Sequence, residues 1–185
     1  SKNRKKNKSM KKKSTMKKSS KSTVSYPIRY IPRRLSKKSK KKAYKELQKS
    51  QKMYKKGKYH TRKKISEFKS KESSHIKKAK KIYDIDSIKP SRALSRKTGC
   101  SLKSLKKIVS KGKGAYYSSG SRPNQTAHSW GIARLASSIT GGKSSAVDFH
   151  IIKDGCKKTG KAYELALEGK KKYGKGTRKV PKIKV

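Results

Sequence analysis

The chain has 185 residues, with 58 Lys and Arg against 9 Asp and Glu and a formal net charge of +49. Charge on that scale works against an isolated compact state through self-repulsion, so an anionic partner is expected. Only 29% of the residues are hydrophobic, which confines any core to part of the chain, and no apolar run reaches the ~18 residues of a membrane-spanning helix.

Residues 1–24 are dominated by Lys, Ser, Thr, Asn and Met and contain no acid. They read as a low-complexity basic arm, with Lys11, Lys12 and Lys13 as candidate contacts to an anion or nucleic acid. No apolar stretch follows the first basic residues, so the arm does not read as a secretory signal. Ser1 follows no Met, as after initiator removal or a proteolytic cut.

Residues 25–84 read as a basic strap and helices. Tyr26, Ile28, Tyr30 and Ile31 alternate with Pro27 and Pro32, which force extended backbone before them. Arg33 and Arg34 follow as candidate anion contacts. Residues 36–56 predict a helix capped by Ser36 and ended by Gly57. Its narrow stripe of Ala43, Tyr44, Leu47, Gln51 and Tyr54 faces inward. Its other faces are nearly all Lys, with Lys41 and Lys42 as further candidate contacts. Residues 58–70, with Tyr59, Ile65 and Phe68, read as irregular. A second basic helix is expected over about 71–83, with Ile76, Ala79 and Ile82/Tyr83 inward; Asp84, Asp86 and Pro90 end this region.

A compact helical core is expected over 85–168. Ser91 caps a short helix ended by Gly99. Ser101 caps the next, which runs through Leu102, Leu105, Ile108 and Val109 to Gly112. Helix, Gly turn, helix is the helix-turn-helix pattern, shared by plain α-hairpins. Residues 112–125 read as a turn-rich loop. Either Ser118, Ser119, Ser121 and Arg122 hold a phosphate there, or Tyr116 and Tyr117 pack the loop on the core; the spacing is neither a P-loop nor a dinucleotide fingerprint. Thr126 caps a helix through Trp130, Ile132, Leu135 and Ile139, apolar on most sides and expected at the centre. A further helix over 144–154 is expected to turn Ala146, Val147, His150 and Ile151 inward, and a short one spans 160–168. Residues 169–185 read as a basic tail. Between Gly114 and Gly169 there are seven Lys/Arg and four acids, a balance of +3, so nearly all the charge lies outside that segment.

The residues that carry chemistry are sparse. Cys100 and Cys156 make no disulfide framework and read as reduced thiols; with His128 and His150 they lack metal-ligand spacing. His128, Ser129 and Asp148 have no nucleophile elbow, and nine scattered acids do not gather a nuclease metal site. No catalytic residue, metal or cofactor is therefore expected. Lys runs interleaved with Tyr44, Tyr54, Tyr59 and Tyr83 suit phosphate neutralisation with weak stacking, and Lys rather than Arg suits diffuse charge rather than base reading.

The block from Gly112 to Ser138 (GKGAYYSSGSRPNQTAHSWGIARLASS), together with Thr98–Cys100, Tyr30–Ser36 (YIPRRLS), Tyr54–Tyr59 (YKKGKY) and Gly141 through Asp148, resembles an uncharacterised family of small basic proteins. Its members are encoded by large DNA viruses, chloroviruses and relatives among them, and by some phages. The resemblance spans roughly residues 26–168. It implies a viral, virion-associated protein and supplies no activity.

The expected fold is mainly α, a small helical core with long Lys-rich arms and basic helices. The expected function is a minor capsid component, at the capsid interior or inner face, fastening neighbouring major and minor capsid proteins through its arms. Tyr26, Tyr30, Tyr44, Tyr54 and Trp130 are its expected anchors. Viral genomic DNA and an anionic inner-membrane surface are the other candidate partners. The alternatives are a sequence-independent DNA-condensing protein and, more remotely, a nucleic-acid-processing enzyme.

Overall fold

The computed structural model describes residues 25–174 and 181–184; the arm at 1–24, with Lys11, Lys12 and Lys13, lies outside them. Seven helices follow a short strand β1 (Ser25–Pro27): α1 (Lys37–Lys55), α2 (Ser74–Tyr83), α3 (Arg92–Thr98), α4 (Leu102–Ser118), α5 (Ala127–Ile139), α6 (Lys143–Gly155) and α7 (Lys161–Tyr173). A closing strand β2 (Lys182–Lys184) pairs antiparallel with β1, setting Ile183 opposite Tyr26. The mainly helical expectation holds. No helix among the described residues is long and apolar enough to cross a membrane.

The helix starts follow from local chemistry. Ser36, Ser91, Ser101 and Thr126 each accept a hydrogen bond from a backbone N–H three residues on, satisfying a donor that the first turn leaves free. Gly99 ends α3 in the left-handed region at φ +73°, where glycine has no Cβ to clash.

Helix α5 is the centre, packed against α2, α4, α6 and α7. One apolar cluster joins Leu94, Leu105, Ile108, Leu135, Ile139 and Ile152 and reaches back to Ala79 and Tyr83 of α2. The Tyr83 hydroxyl donates to the Ile139 carbonyl at the end of α5, and burial pushes that phenol's pKa up. A second cluster gathers Tyr26, Tyr30, Ile31, Leu35, Ala43, Leu47 and Ile65, with Trp130 against it. The strap and α1 thus carry a core of their own beside α4 and α5.

Four expectations are corrected. The loop expected over 112–125 is helical to Ser118. Gly112 is not a helix stop but meets Gly131 at the crossing point of α4 and α5: a Cβ on Gly112 would lie 2.6 Å from the Gly131 Cα, and one on Gly131 2.7 Å from the Val109 carbonyl oxygen. Helix α7 continues past 168 to Tyr173 because Ala162, Ala166 and Gly169 form one buried small-residue face. The buried face of α6 is Ser145, Asp148, Phe149, Ile151 and Ile152, leaving His150 exposed and Val147 40% exposed. A charged residue at the inward position hid the true face.

The cysteines are the fourth. Cys100, after the Gly99 turn, and Cys156, after α6, face each other across an isolated antiparallel bridge and form a disulfide. Ser101 N–H bonds the Gly155 carbonyl at 2.7 Å and Lys157 N–H the Gly99 carbonyl at 2.9 Å, so the two turns are joined by backbone as well as by sulfur. The 56-residue separation puts the chain-entropy stabilisation at about 4 kcal/mol.

Asp148 is fully buried and is the acceptor that joins α4, α5 and α6. Arg134 grips it with both arms, Nε and Nη2 each at 2.8 Å; Lys111 Nζ lies at 2.9 Å and the Ser138 hydroxyl donates at 2.9 Å. Burial by itself would raise its pKa, but the hydrogen bonds and charge of Arg134, then of Lys111, outweigh it and hold the carboxyl below its ordinary value. Asp148→Asn leaves two cations facing each other and is expected to cost about 3 kcal/mol or more, read by thermal or urea unfolding. Because the folded carboxyl titrates lower than the unfolded one, its contribution is full above about pH 4 and is lost as pH falls through the folded value. The wild type should therefore lose stability on acidification more steeply than Asp148→Asn.

Candidate nucleic-acid interface

Helix α1 carries nine lysines and one acid, Glu46, and buries only Ser39, Ala43, Leu47 and Ser50. Like charges three and four residues apart disfavour an isolated helix, so its order comes from what is laid against it. That is the strap, α4 and the segment 57–68, the last of which runs back along α1 from its C-terminal end.

Four side chains make the main attachments of the segment, and Lys42 Nζ also donates to the Lys64 carbonyl at 2.9 Å. Glu46 accepts from His60 Nε2 at 2.9 Å and from the Lys63 N–H at 2.8 Å. Burial opposes ionisation of Glu46, but these bonds hold its carboxyl below the ordinary value. Asn124 accepts the Ile65 N–H at 2.7 Å and donates to the Ile65 and Phe68 carbonyls at 3.0 and 2.6 Å. Glu67 accepts the Ser36 N–H, the Ser36 hydroxyl and the Ser39 hydroxyl at 2.9, 2.6 and 2.8 Å. These three bonds, the Ser36 hydroxyl foremost, keep its carboxyl below the ordinary value. Helix α1 has no acid in its first turn, so Glu67 supplies from across the fold the negative charge a helix N-terminus favours.

The fourth attachment is Arg62. Its guanidinium lies 3.7 Å from the centre of the Tyr116 ring, donates to the Tyr116 carbonyl at 2.8 Å and reaches the Ser50 and Ser121 hydroxyls. Its backbone N–H bonds the Tyr116 hydroxyl at 3.1 Å. Burial pulls its pKa down, opposed first by Tyr116. It is a cation held by a ring and neutral oxygens rather than by a carboxylate.

Two surface features result. One is an open groove lined by Lys38, Lys41, Lys42, Lys45, Glu46 and Lys63. No lysine of α1 is ion-paired to a described acid, because Glu46 and Glu67 are committed to the segment. The other is an aromatic cluster at the end of α1. Tyr54 and Tyr117 stack at 6.0 Å and 13°, Tyr59 leans on both at 6.1 and 4.9 Å, and Tyr116 meets Tyr117 edge-on at 5.0 Å.

The other residues singled out in the sequence fall as follows. Tyr26 and Tyr30 are interior, at 4% and 8% exposure. Tyr26 donates to Gln51 and stands edge-on to Tyr44; Tyr30 stands edge-on to the half-buried Trp130. Arg33, Arg34 and Arg122 are exposed, Arg34 lying over the Phe68 ring. In the 112–134 block, Ser121 serves Arg62 and Ser129 serves the α5 cap, while the Asp148 carboxylate is filled by Arg134, Lys111 and Ser138. Ser129 and Asp148 are therefore engaged separately, and His128 is exposed.

A family model matches residues 27–154. The chain belongs to the family of unknown function DUF5824. The DUF5824 match takes in α1, the aromatic cluster and the Asp148 junction and stops short of Cys156 and α7. Comparison with curated proteins and with solved structures finds no match.

Sequence reading placed Lys41, Lys42 and Tyr54 in this surface and missed Arg62 and Tyr117. The adjacent Tyr116 and Tyr117 are the available signal, and loop packing is one of the two readings the sequence offers for them. Arg62→Ala leaves the Tyr116 carbonyl and Ser121 without their buried donor and is expected to cost about 2 kcal/mol. Arg62→Lys should recover less than half of that, because an ammonium cannot fork. Thermal melts of the two variants measure both.

Proposed function

We propose that the protein binds nucleic acid without sequence selectivity, using the lysine face of α1 as its folded contact. The observation that carries this reading is the set of nine α1 lysines, none within ion-pair distance of a described acid, beside a groove only cations border apart from Glu46. Phosphate is the anion that repeats along such a surface, and release of its counterions drives binding.

Base-specific recognition is disfavoured on chemical grounds. Helix, Gly turn and helix occur where α3 and α4 stand, but the exposed positions of α4 include Lys103, Lys106, Lys107, Ser110 and Lys113. Base reading relies on forked Arg, Asn or Gln contacts, and lysine acts as a point charge. In the viral setting that the resemblance implies, the ligand is packaged genome. From the sequence, fastening of capsid proteins is expected of the basic arms, anchored by Tyr26, Tyr30, Tyr44, Tyr54 and Trp130. The arm at 1–24 lies outside the described residues and Tyr26 and Tyr30 are interior, so nucleic acid is the reading the groove favours.

The test is a salt titration of full-length protein on a duplex of arbitrary sequence. Affinity should fall linearly on a log–log scale. Lys38→Glu/Lys41→Glu/Lys45→Glu should flatten the slope by about 3, near 0.9 for each phosphate that is no longer neutralised. An unchanged slope would remove α1 from the interface, and absence of binding at moderate salt would end the reading.

A further inference from the structure

The aromatic cluster at the end of α1 has a feature that packing does not explain. Tyr59 is 71% exposed, and the other exposed large hydrophobic residue among those described is Val147 at 40%. A ring that exposed gains little from burial. Yet it is not loosely placed: it leans on Tyr54 and Tyr117, and one residue further on its chain is tied down at His60, Arg62 and Lys63. The fold holds an aromatic face in water at a fixed position.

From this we infer that Tyr59, backed by Tyr54 and Tyr117, is a stacking site for an unpaired base, so that the preferred ligand is single-stranded nucleic acid. The inference rests on the nucleic-acid reading above and narrows it. In a duplex each base already stacks on its neighbours and offers only its edges in the grooves, whereas a single strand can lay a base on an exposed ring. The charge nearby fits a strand and not an apolar partner: Lys55, Lys56 and Lys58 flank Tyr54 and Tyr59 in the chain, and Lys113 lies one helical turn before Tyr117. The segment carrying Tyr59 also carries Lys63, which borders the lysine groove. Stacking and phosphate contact are thus at two points of one segment that is held rigidly on α1.

The experiment compares affinities of the full chain, at one salt concentration, for labelled oligo-dT, the same length of duplex DNA, and an abasic strand of the same length. Wild type should bind oligo-dT more tightly than the other two. Tyr59→Ala should weaken oligo-dT binding by about 5- to 100-fold, the range of one base–aromatic stack, and leave the duplex and abasic strand within about twofold. Tyr59→Phe, which keeps the ring, should match wild type. At this exposure neither variant threatens the fold, which a melting curve verifies. Equal losses on all three ligands, no loss on oligo-dT, or a Phe variant as weak as the Ala variant would overturn the stacking site while the phosphate contact stands. Wild type that binds none of the three would overturn the nucleic-acid reading, and the stacking site with it.

Discussion

The fold turns on one carboxylate. Asp148 is buried where α4, α5 and α6 meet, and two cations and a hydroxyl close on it. In a chain with 58 cations and 9 acids, positive groups near the core are unavoidable, and a buried charge without a counter-charge is among the costliest defects a fold can carry. Asp148 draws the half-buried Arg134 and Lys111 onto the edge of the interior, and the close crossing of Gly112 and Gly131 lets α4 and α5 lie near enough to share it.

The same scarcity of acids shapes the surface. Glu46 and Glu67 do not neutralise the lysines of α1 in general; each is fixed on a particular backbone or side-chain donor of the segment 57–68 and its contact with the helix. Arg62 completes that attachment without any carboxylate, through the Tyr116 ring and neutral oxygens. Acids are thus used for geometry, and the remaining positive charge is left on the outside. Under the proposed nucleic-acid reading, an external polyanion would relieve repulsion among lysines that the fold itself does not relieve, and would tie the stability of α1 to ligand binding.

Sequence reading was strong wherever one residue acts on its own neighbours. Ser36, Ser91, Ser101 and Thr126 were legible as caps because the acceptor and the donor lie three residues apart. Helix α5 was legible as the centre because it is apolar on most sides. The reading failed where meaning depends on a distant partner. Gly112 looks like a breaker until Gly131 crosses it. Asp148 looks like a solvent-facing residue until Arg134 and Lys111 arrive, so Ala146, Val147, His150 and Ile151 were expected inward on α6, where only Ile151 of that set is fully buried. Cys100 and Cys156 carry no local sign of being paired. In the candidate site, Lys41, Lys42 and Tyr54 were found from charge and helical spacing. Arg62 and Tyr117 matter only because the segment 57–68 folds back on α4, which no periodicity announces.

The central claim is that nucleic acid meets the fold at α1 and the segment lying on it, and not evenly over a uniformly basic chain. Ultraviolet crosslinking of the full chain to a photoreactive single strand, mapped by mass spectrometry, tests it most directly. Crosslinks within the described fold are expected on Tyr59, on Tyr117 and on lysines of α1 and Lys63. Crosslinks concentrated on α6 and α7, or spread in proportion to lysine content with Tyr59 untouched, would contradict it.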